Sequence, residues 1–304
     1  MEDPVSVFIP FYSRSSESGL RYLKRAIESV LKQSDANWSL TVVDDCSPIE
    51  GVKSFVASFS DPRVSYHLNE KNLGQAGNWN VCKKLCKTTF MTILHADDEL
   101  LPNYLQEMRP ALESRADVAA LYCQAEIINE NNEVISSFVD YIKKFIAPSS
   151  RSGETVVLQG EAGLIQLLHG NFIMCPTVMY RLSLVADLDF TDRWRSIPDL
   201  SYWVKLLFSS RKMTGIASVC FRYRRHSESC TAVVTKSTEI FEEEVDFYAY
   251  VLAEAKKYDW FKAAKVAEKK RIVKLRISYF MLIDFFRLDW LASFQKLRFL
   301  KNIV

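Results

Sequence analysis

With 304 residues, the chain sits near the upper limit for one hydrophobic core, so either one large α/β domain or a domain with an appended piece is expected. Its 48% apolar and 25% charged content with a net charge of +2 is that of an ordinary globular protein and excludes a disordered or fibrous chain. Seven cysteines, odd in number and scattered from Cys46 to Cys230, exclude a disulfide framework and point to a reducing compartment.

The opening "MEDPVSVFIP" has no basic segment followed by an apolar core, so no secretory leader is expected. "VSVFIP" reads as a first strand, and Leu20, Leu23, Ile27, Val30 and Leu31 then recur on one face of a helix. "SLTVVDD" gives a second strand, "VKSFVASF" a short helix, "VSYHLN" a third strand, "GNWNVCKKLC" a helix and "FMTIL" a fourth strand. Strands alternating with helices imply right-handed crossovers and a mostly parallel sheet. Cys82 and Cys86 stand one helical turn apart with no second ligand pair nearby, and read as packed thiols rather than a zinc site.

The second half is less regular. "VAALYC" reads as a strand, and "EIINENNEVISSF" as a hairpin turning at Asn131 and Asn132. Residues 139 to 158 read as an ordered flap or insertion loop, with Pro148 and Gly153 between apolar segments. The uncharged run from Ala162 to Tyr180 has the length of a membrane span, but Gly170, Asn171 and Pro176 interrupt it. A short helix, a turn and the buried strand "IMCPTVMY" are expected instead. A helix "DLSYWVKLLFSS" and a strand "IASVCFRYRRH" follow, and from about Ser237 the pattern is almost wholly helical. Between Ala255 and Val304, thirteen bases stand against four acids, a net +9 interleaved with aromatics such as Trp260, Phe286, Trp290 and Phe294. Two readings stay open for that region: an interfacial helix at an anionic membrane surface, or aromatics packed inwards beneath a solvated basic face. No nucleic-acid reader motif accompanies the bases, so nucleic acid is not an expected partner.

In sheets of this kind ligands collect beyond the carboxyl ends of the strands. Tyr12 and Ser13 follow strand one, Asp44 and Asp45 strand two, Asn69 and Asn72 strand three, Asp97 and Asp98 strand four. Singly, each is an ordinary turn residue; four successive strand ends sharing one rim suggest a site. The adjacent acids in "TILHADDELLP" repel each other unless a capping role or a cation justifies them.

The order "VSVFIPFYSR", "LTVVDDCSP", "NEKNLGQAGNWNVCKKLCKTTFMTILHADDELLP", "IPDLSYWVKLL", "YRRHSES" resembles the family 2 glycosyltransferases of the GT-A fold, over roughly residues 5 to 230. The "GNWN…LHADD" version is similar to bacterial enzymes that build surface polysaccharides. The resemblance implies a Rossmann-like, mostly parallel sheet flanked by helices, with a catalytic domain over residues 1–236 and a C-terminal helical extension over 237–304. It implies an inverting transfer of sugar from a nucleotide-diphosphate sugar, a UDP-sugar first, to a glycan or lipid-linked glycan acceptor. The expected place is the cytoplasm, at or near the inner face of the membrane.

Residue by residue, Pro10 and Tyr12 match positions beside the nucleotide, with the Tyr12 ring near the base. Asp45 matches the acid at the base edge, followed here by Cys46 where a small residue is usual; Asn72 and Asp97 match donor-binding positions. Asp98 matches the ligand of a Mn²⁺ or Mg²⁺ ion, and His95 stands where many members carry the first acid, although hard cations prefer oxygen donors. Asp199 matches the catalytic base, with Pro198 in place of the usual Glu. Arg224, Arg225 and His226 match a Tyr-Arg-x-His segment that meets the diphosphate or the acceptor. Two competitors share parts of this pattern, a sugar nucleotidyltransferase and a non-catalytic sugar-nucleotide or glycan-binding protein. No glycine-rich, basic phosphate loop follows strand one, and the intact Asp98 and Asp199 speak against the second.

Overall fold

A computed structural model describes residues 3–136, 156–226 and 239–303. Most of the flap expected over 139–158, and the residues after His226 in "YRRHSES", lie outside the described residues. The N-terminal half follows the expected alternation: β1 (Val5–Phe11), α1 (Ser16–Leu31), β2 (Trp38–Asp44), α2 (Val52–Ala57), β3 (Val64–Leu68), α3 (Gly74–Leu85) and β4 (Phe90–Ile93). α1 starts where the Ser15 side chain accepts the Ser18 N–H, and its apolar spacing buries Leu23, Ile27 and Val30 on one side. β1 pairs in parallel with β2 and β4, and β2 with β3.

Beyond β4 come β5 (Glu99–Leu100), α4 (Tyr104–Glu113), β6 (Val118–Ile128), β7 (Val156–Leu158), α5 (Gly160–Leu168), β8 (Val178–Arg181), α6 (Leu182–Val185), α7 (Pro198–Phe208) and β9 (Lys212–Arg224). The strand order is β3-β2-β1-β4-β8-β6-β9-β5, with β7 also paired to β9. β6 and β9 run parallel, whereas β8 is antiparallel to both β4 and β6, and β5 to β9, so the complete sheet is mixed. The strand expected over "IMCPTVMY" is shorter than its apolar run: Cys175–Thr177 form a 3₁₀ turn and pairing starts at Val178. Pro176 in the first positions of that turn has no N–H to give a ladder, which accounts for the late start. The turn at Asn131 and Asn132 is present, with Ile128 bridged antiparallel to Val134 and Asn132 at φ +66°.

Two apolar layers cover the sheet. α1, α2 and α4 bury Leu23, Ile27, Val56, Leu105 and Met108 on one face. α3, α5 and α7 cover the other with Trp79, Leu164, Trp203 and Leu207. The C-terminal helices α8 (Glu239–Lys257), α9 (Phe261–Lys269), α10 (Arg271–Phe286) and α11 (Trp290–Asn302) follow, and Phe241, Phe247, Ala263 and Ile277 join that second core. Trp260, Phe280 and Phe299 pack against it, while Phe286, Trp290 and Phe294 stay exposed, so the C-terminal aromatics divide between inward and outward positions. No helix among the described residues is long and apolar enough to cross a membrane.

Candidate active site

The rim beyond β1–β4 is built by hydrogen bonds that the "DD" and "NLG" segments make with each other. Asp45, buried after β2, accepts the Asn69 side-chain amide at 2.8 Å and the Leu73 and Gly74 N–H groups at 2.9 Å each. Gly74 lies at φ +74°, a left-handed conformation that L side chains resist, and this turns its N–H toward Asp45. Asn72, exposed, accepts the same N–H at 3.1 Å. Asn69 also bonds Asn78 Oδ1 at 3.0 Å, and Asn78 donates to the Val43 carbonyl, tying the start of α3 to β2. Asp45 is thus the brace of the loop leading into α3, with both carboxylate oxygens already engaged. Tyr12 is 44% exposed just past β1, an open aromatic face, and Pro10 precedes it within the strand. Asp44 accepts the Tyr66 hydroxyl at 2.8 Å and borders a cavity of about 500 Å³ with Ile49, Val52 and Tyr66.

β4 delivers "HADD" to the centre of the same rim. Among the described residues, His95, Asp97 and Asp98 are the group that could hold a metal ion, with one ligand atom from each lying within 4.8 Å of the others. His95 Nδ1 stands 3.8 Å from Asp98 Oδ2, and its ring stacks on Trp79 at a centroid distance of 5.5 Å. Its Nε2 is buried without a partner. Burial pushes Asp98 well above the ordinary carboxylate range, and the neighbouring Asp97 charge adds to it, against the opposing effect of Arg224. Burial also raises Asp97, but the His226 hydrogen bond and the nearby imidazoles outweigh it and hold this acid low. Burial lowers His95, which keeps the imidazole neutral and able to donate a lone pair. An anionic Asp97 beside a desolvated Asp98 and a neutral imidazole is a donor set that fits a divalent cation: the charge that makes the pair unfavourable alone is what a cation neutralises.

The end of β9 locks this group in place, and Arg224, expected at the diphosphate or the acceptor, turns inward instead. The Arg224 backbone N–H donates to Asp98 Oδ1 at 2.7 Å, and its Nε to the Asp97 carbonyl at 2.8 Å. Nη1 reaches the Asn129 carbonyl at 2.9 Å and Asn132 Oδ1 at 2.5 Å, and Nη2 pairs with Glu99. With a side chain 0% exposed and these donors taken, the guanidinium meets protein rather than diphosphate. Nothing local to Arg224 signals this, because Glu99, Asn129 and Asn132 come from segments far from it in the chain.

His226 Nε2 bonds Asp97 Oδ2 at 2.9 Å, and its ring lies 4.8 Å from Tyr22. His226 and Arg225 line a cavity of about 450 Å³ with Asn129, Glu130 and Asn131, and through His226 that cavity adjoins Asp97. Asp199 stands in the first turn of α7, half-buried, directly after Pro198. Burial raises the Cys175 thiol, and Asp199 and then Asp98 raise it further, so both carboxylates lie within electrostatic reach of one sulfur. Asp199 lies 101 residues downstream of Asp98 in the chain, and Cys175 is the side chain on which the two charges both act. Trp79, which fixes the His95 ring, had only its place in the "GNWN" helix pattern to mark it, as a core position rather than a site neighbour.

Comparison with known proteins agrees with this architecture. The family described as Glycosyl transferase family 2 matches residues 6–176. The Escherichia coli protein named UDP-Glc:alpha-D-GlcNAc-diphosphoundecaprenol beta-1,3-glucosyltransferase WfgD is 35% identical over 229 residues, 75% of this chain and 79% of that protein. Among solved structures, residues 1–349 of S. aureus TarS superpose with a TM-score of 0.59 at 16% identity, covering 86% of this chain and 70% of that one. The same TarS segment in complex with UDP-GlcNAc gives 0.60 at 17% identity, over 82% of this chain and 66% of that one. At such identities the structural likeness speaks for the fold.

Proposed function

The chain belongs to glycosyl transferase family 2, and we propose that it is a metal-dependent, inverting enzyme moving sugar from a UDP-sugar to a lipid-linked saccharide acceptor. The observation that supports this reading is the clustering of His95, Asp97 and Asp98 just after β4, with one ligand atom from each within 4.8 Å of the others. The WfgD name supplies the choice of uridine donor and of a diphospholipid-linked acceptor. Work on such an acceptor suits a protein at the inner face of a membrane.

In the proposed reaction the Asp199 carboxylate takes the proton of an acceptor hydroxyl. That oxygen attacks the anomeric carbon from the face opposite the diphosphate, the carbon–oxygen bond to phosphate breaks, and the electron pair leaves with the nucleoside diphosphate. Single displacement inverts the centre. Mn²⁺ or Mg²⁺, when bound, neutralises charge on the leaving diphosphate without a proton donor. Asp98 and Asp97 would hold the ion with His95 as a third, nitrogen donor, and the Arg224 N–H and His226 aim the two carboxylates. Tyr12 offers its exposed ring to the base, and the loop braced by Asp45 and Asn72 shapes the wall beside it.

A thermal-shift panel of UDP-, GDP-, CDP- and dTDP-sugars with and without Mn²⁺ tests the donor. A rise for UDP-sugars that depends on Mn²⁺ is expected, since a ligand that binds only the folded state stabilises it. UDP release on adding an extracted diphospholipid-linked saccharide tests transfer. Stabilisation without turnover on any such acceptor would favour the non-catalytic binding protein instead.

A further inference from the structure

The last two helices carry an apolar face that none of the described residues covers. α10 turns Val273 and Ile277 into the core, and Arg276 on the same side pairs with buried Glu244 of α8. Its opposite side shows Leu275, Tyr279, Leu282 and Phe286 at successive spacings of four, three and four residues, the last of them 79% exposed. After the turn Arg287–Asp289, α11 packs on α10 through Lys296 on Asp284 at 2.6 Å and Ser293 Oγ on the Met281 carbonyl at 3.1 Å. The corner itself is apolar: Leu288, Trp290 and Leu291 are exposed, and the Trp290 ring meets Phe285 edge-on at 4.8 Å.

The charges around this face decide what covers it. Arg271, Lys274, Arg287, Arg298 and Lys301 make no ion pair among the described residues. The two acids of this segment are already used, Asp284 by Lys296 and Asp289 by the Ala292 N–H at 3.1 Å. The surface thus offers aromatics and five unpaired cations against one carboxylate outside an ion pair, Asp289, which caps α11. A second copy meeting it across a two-fold axis would set the unpaired cations against each other. The complement is an apolar layer edged with anions.

We propose that α10 and α11 form a membrane-docking corner, in which Phe286, Leu288, Trp290 and Leu291 enter the boundary between headgroups and acyl chains while the five bases meet anionic lipid phosphates. No helix here spans the bilayer, so the contact is one-sided and reversible. The inference goes beyond the transfer reaction, and its test needs neither donor nor acceptor, so its failure leaves that reading standing.

Sedimentation of the whole chain with phosphatidylglycerol-containing and pure phosphatidylcholine vesicles is the experiment. Binding to the first, none to the second, and release on raising salt are expected. Phe286→Ser with Trp290→Ser should lower partitioning at least tenfold, and Arg287→Ser or Arg298→Ser about fivefold each, at roughly 1 kcal/mol per base. These positions are exposed, so an unchanged thermal midpoint shows that the variants fold. Equal binding to both vesicle types, binding to neither, or a solution dimer that Phe286→Ser dissolves would overturn the proposal.

Discussion

Replacing Arg224 by Met tests whether this arginine is a clamp or a ligand-binding group. Its guanidinium donates to the Asp97 carbonyl, the Asn129 carbonyl, Asn132 and Glu99, and the Glu99 side chain is 13% exposed. Methionine fills similar space but leaves the mostly buried Glu99 carboxylate and the Asp97 carbonyl without their arginine donor, while Asn132 Oδ1 keeps Arg25 at 3.2 Å and the Asn129 carbonyl keeps the Asn132 N–H at 3.1 Å. Breaking a buried pair from one side costs about 3–5 kcal/mol. In a chain of this size that corresponds to a fall of roughly 5–8 °C in midpoint. Urea unfolding followed by tryptophan fluorescence gives the free energy, and the cycle with Glu99→Gln isolates the pair, with a coupling of at least ~2 kcal/mol expected. A single variant within ~1 kcal/mol of the parent, with additive double-variant effects, would refute the clamp and return the guanidinium to the diphosphate.

Asp98→Asn should stabilise the metal-free protein at pH 7 and abolish its stabilisation by Mn²⁺. Burial and Asp97 raise the folded pKa of Asp98, so the folded state holds the extra proton. Stability from this group is therefore present at acid pH and lost as pH rises from the ordinary carboxylate value through the folded one, a slope the variant should lack in pH-dependent melting. Asp199→Asn keeps a side chain suited to the start of α7, so fold and donor binding should persist while turnover falls about 10²–10⁴-fold in a UDP-release assay. His95→Phe retains a ring against Trp79 but removes the nitrogen; calorimetry should show Co²⁺ affinity falling about tenfold or more with little change for Mg²⁺, and equal losses for both would remove His95 from the ligand set.

Local pattern was enough for much of this molecule. The alternation from Val5 to Ile93 fixes period and length, so strands, helices and the rim position of Asp45, Asn72, Asp97 and Asp98 follow from a chain met residue by residue. The Asn-Leu-Gly segment was legible as a signature, and its cause is local too: a left-handed Gly74 whose N–H meets Asp45. What pattern could not decide was pairing between distant segments. β8 enters the sheet against the direction of β4, because where a strand inserts depends on which edges remain free once the first four have paired. Arg224 looks in sequence like one more cation in "YRRH"; only burial against Glu99, Asn129 and Asn132 makes it a clamp. Likewise the count of bases and aromatics from Ala255 onward could not sort inward rings from outward ones. Phe280 packs and Phe286 does not because the face of α10 that meets α8 is set by tertiary contact, to which composition is blind.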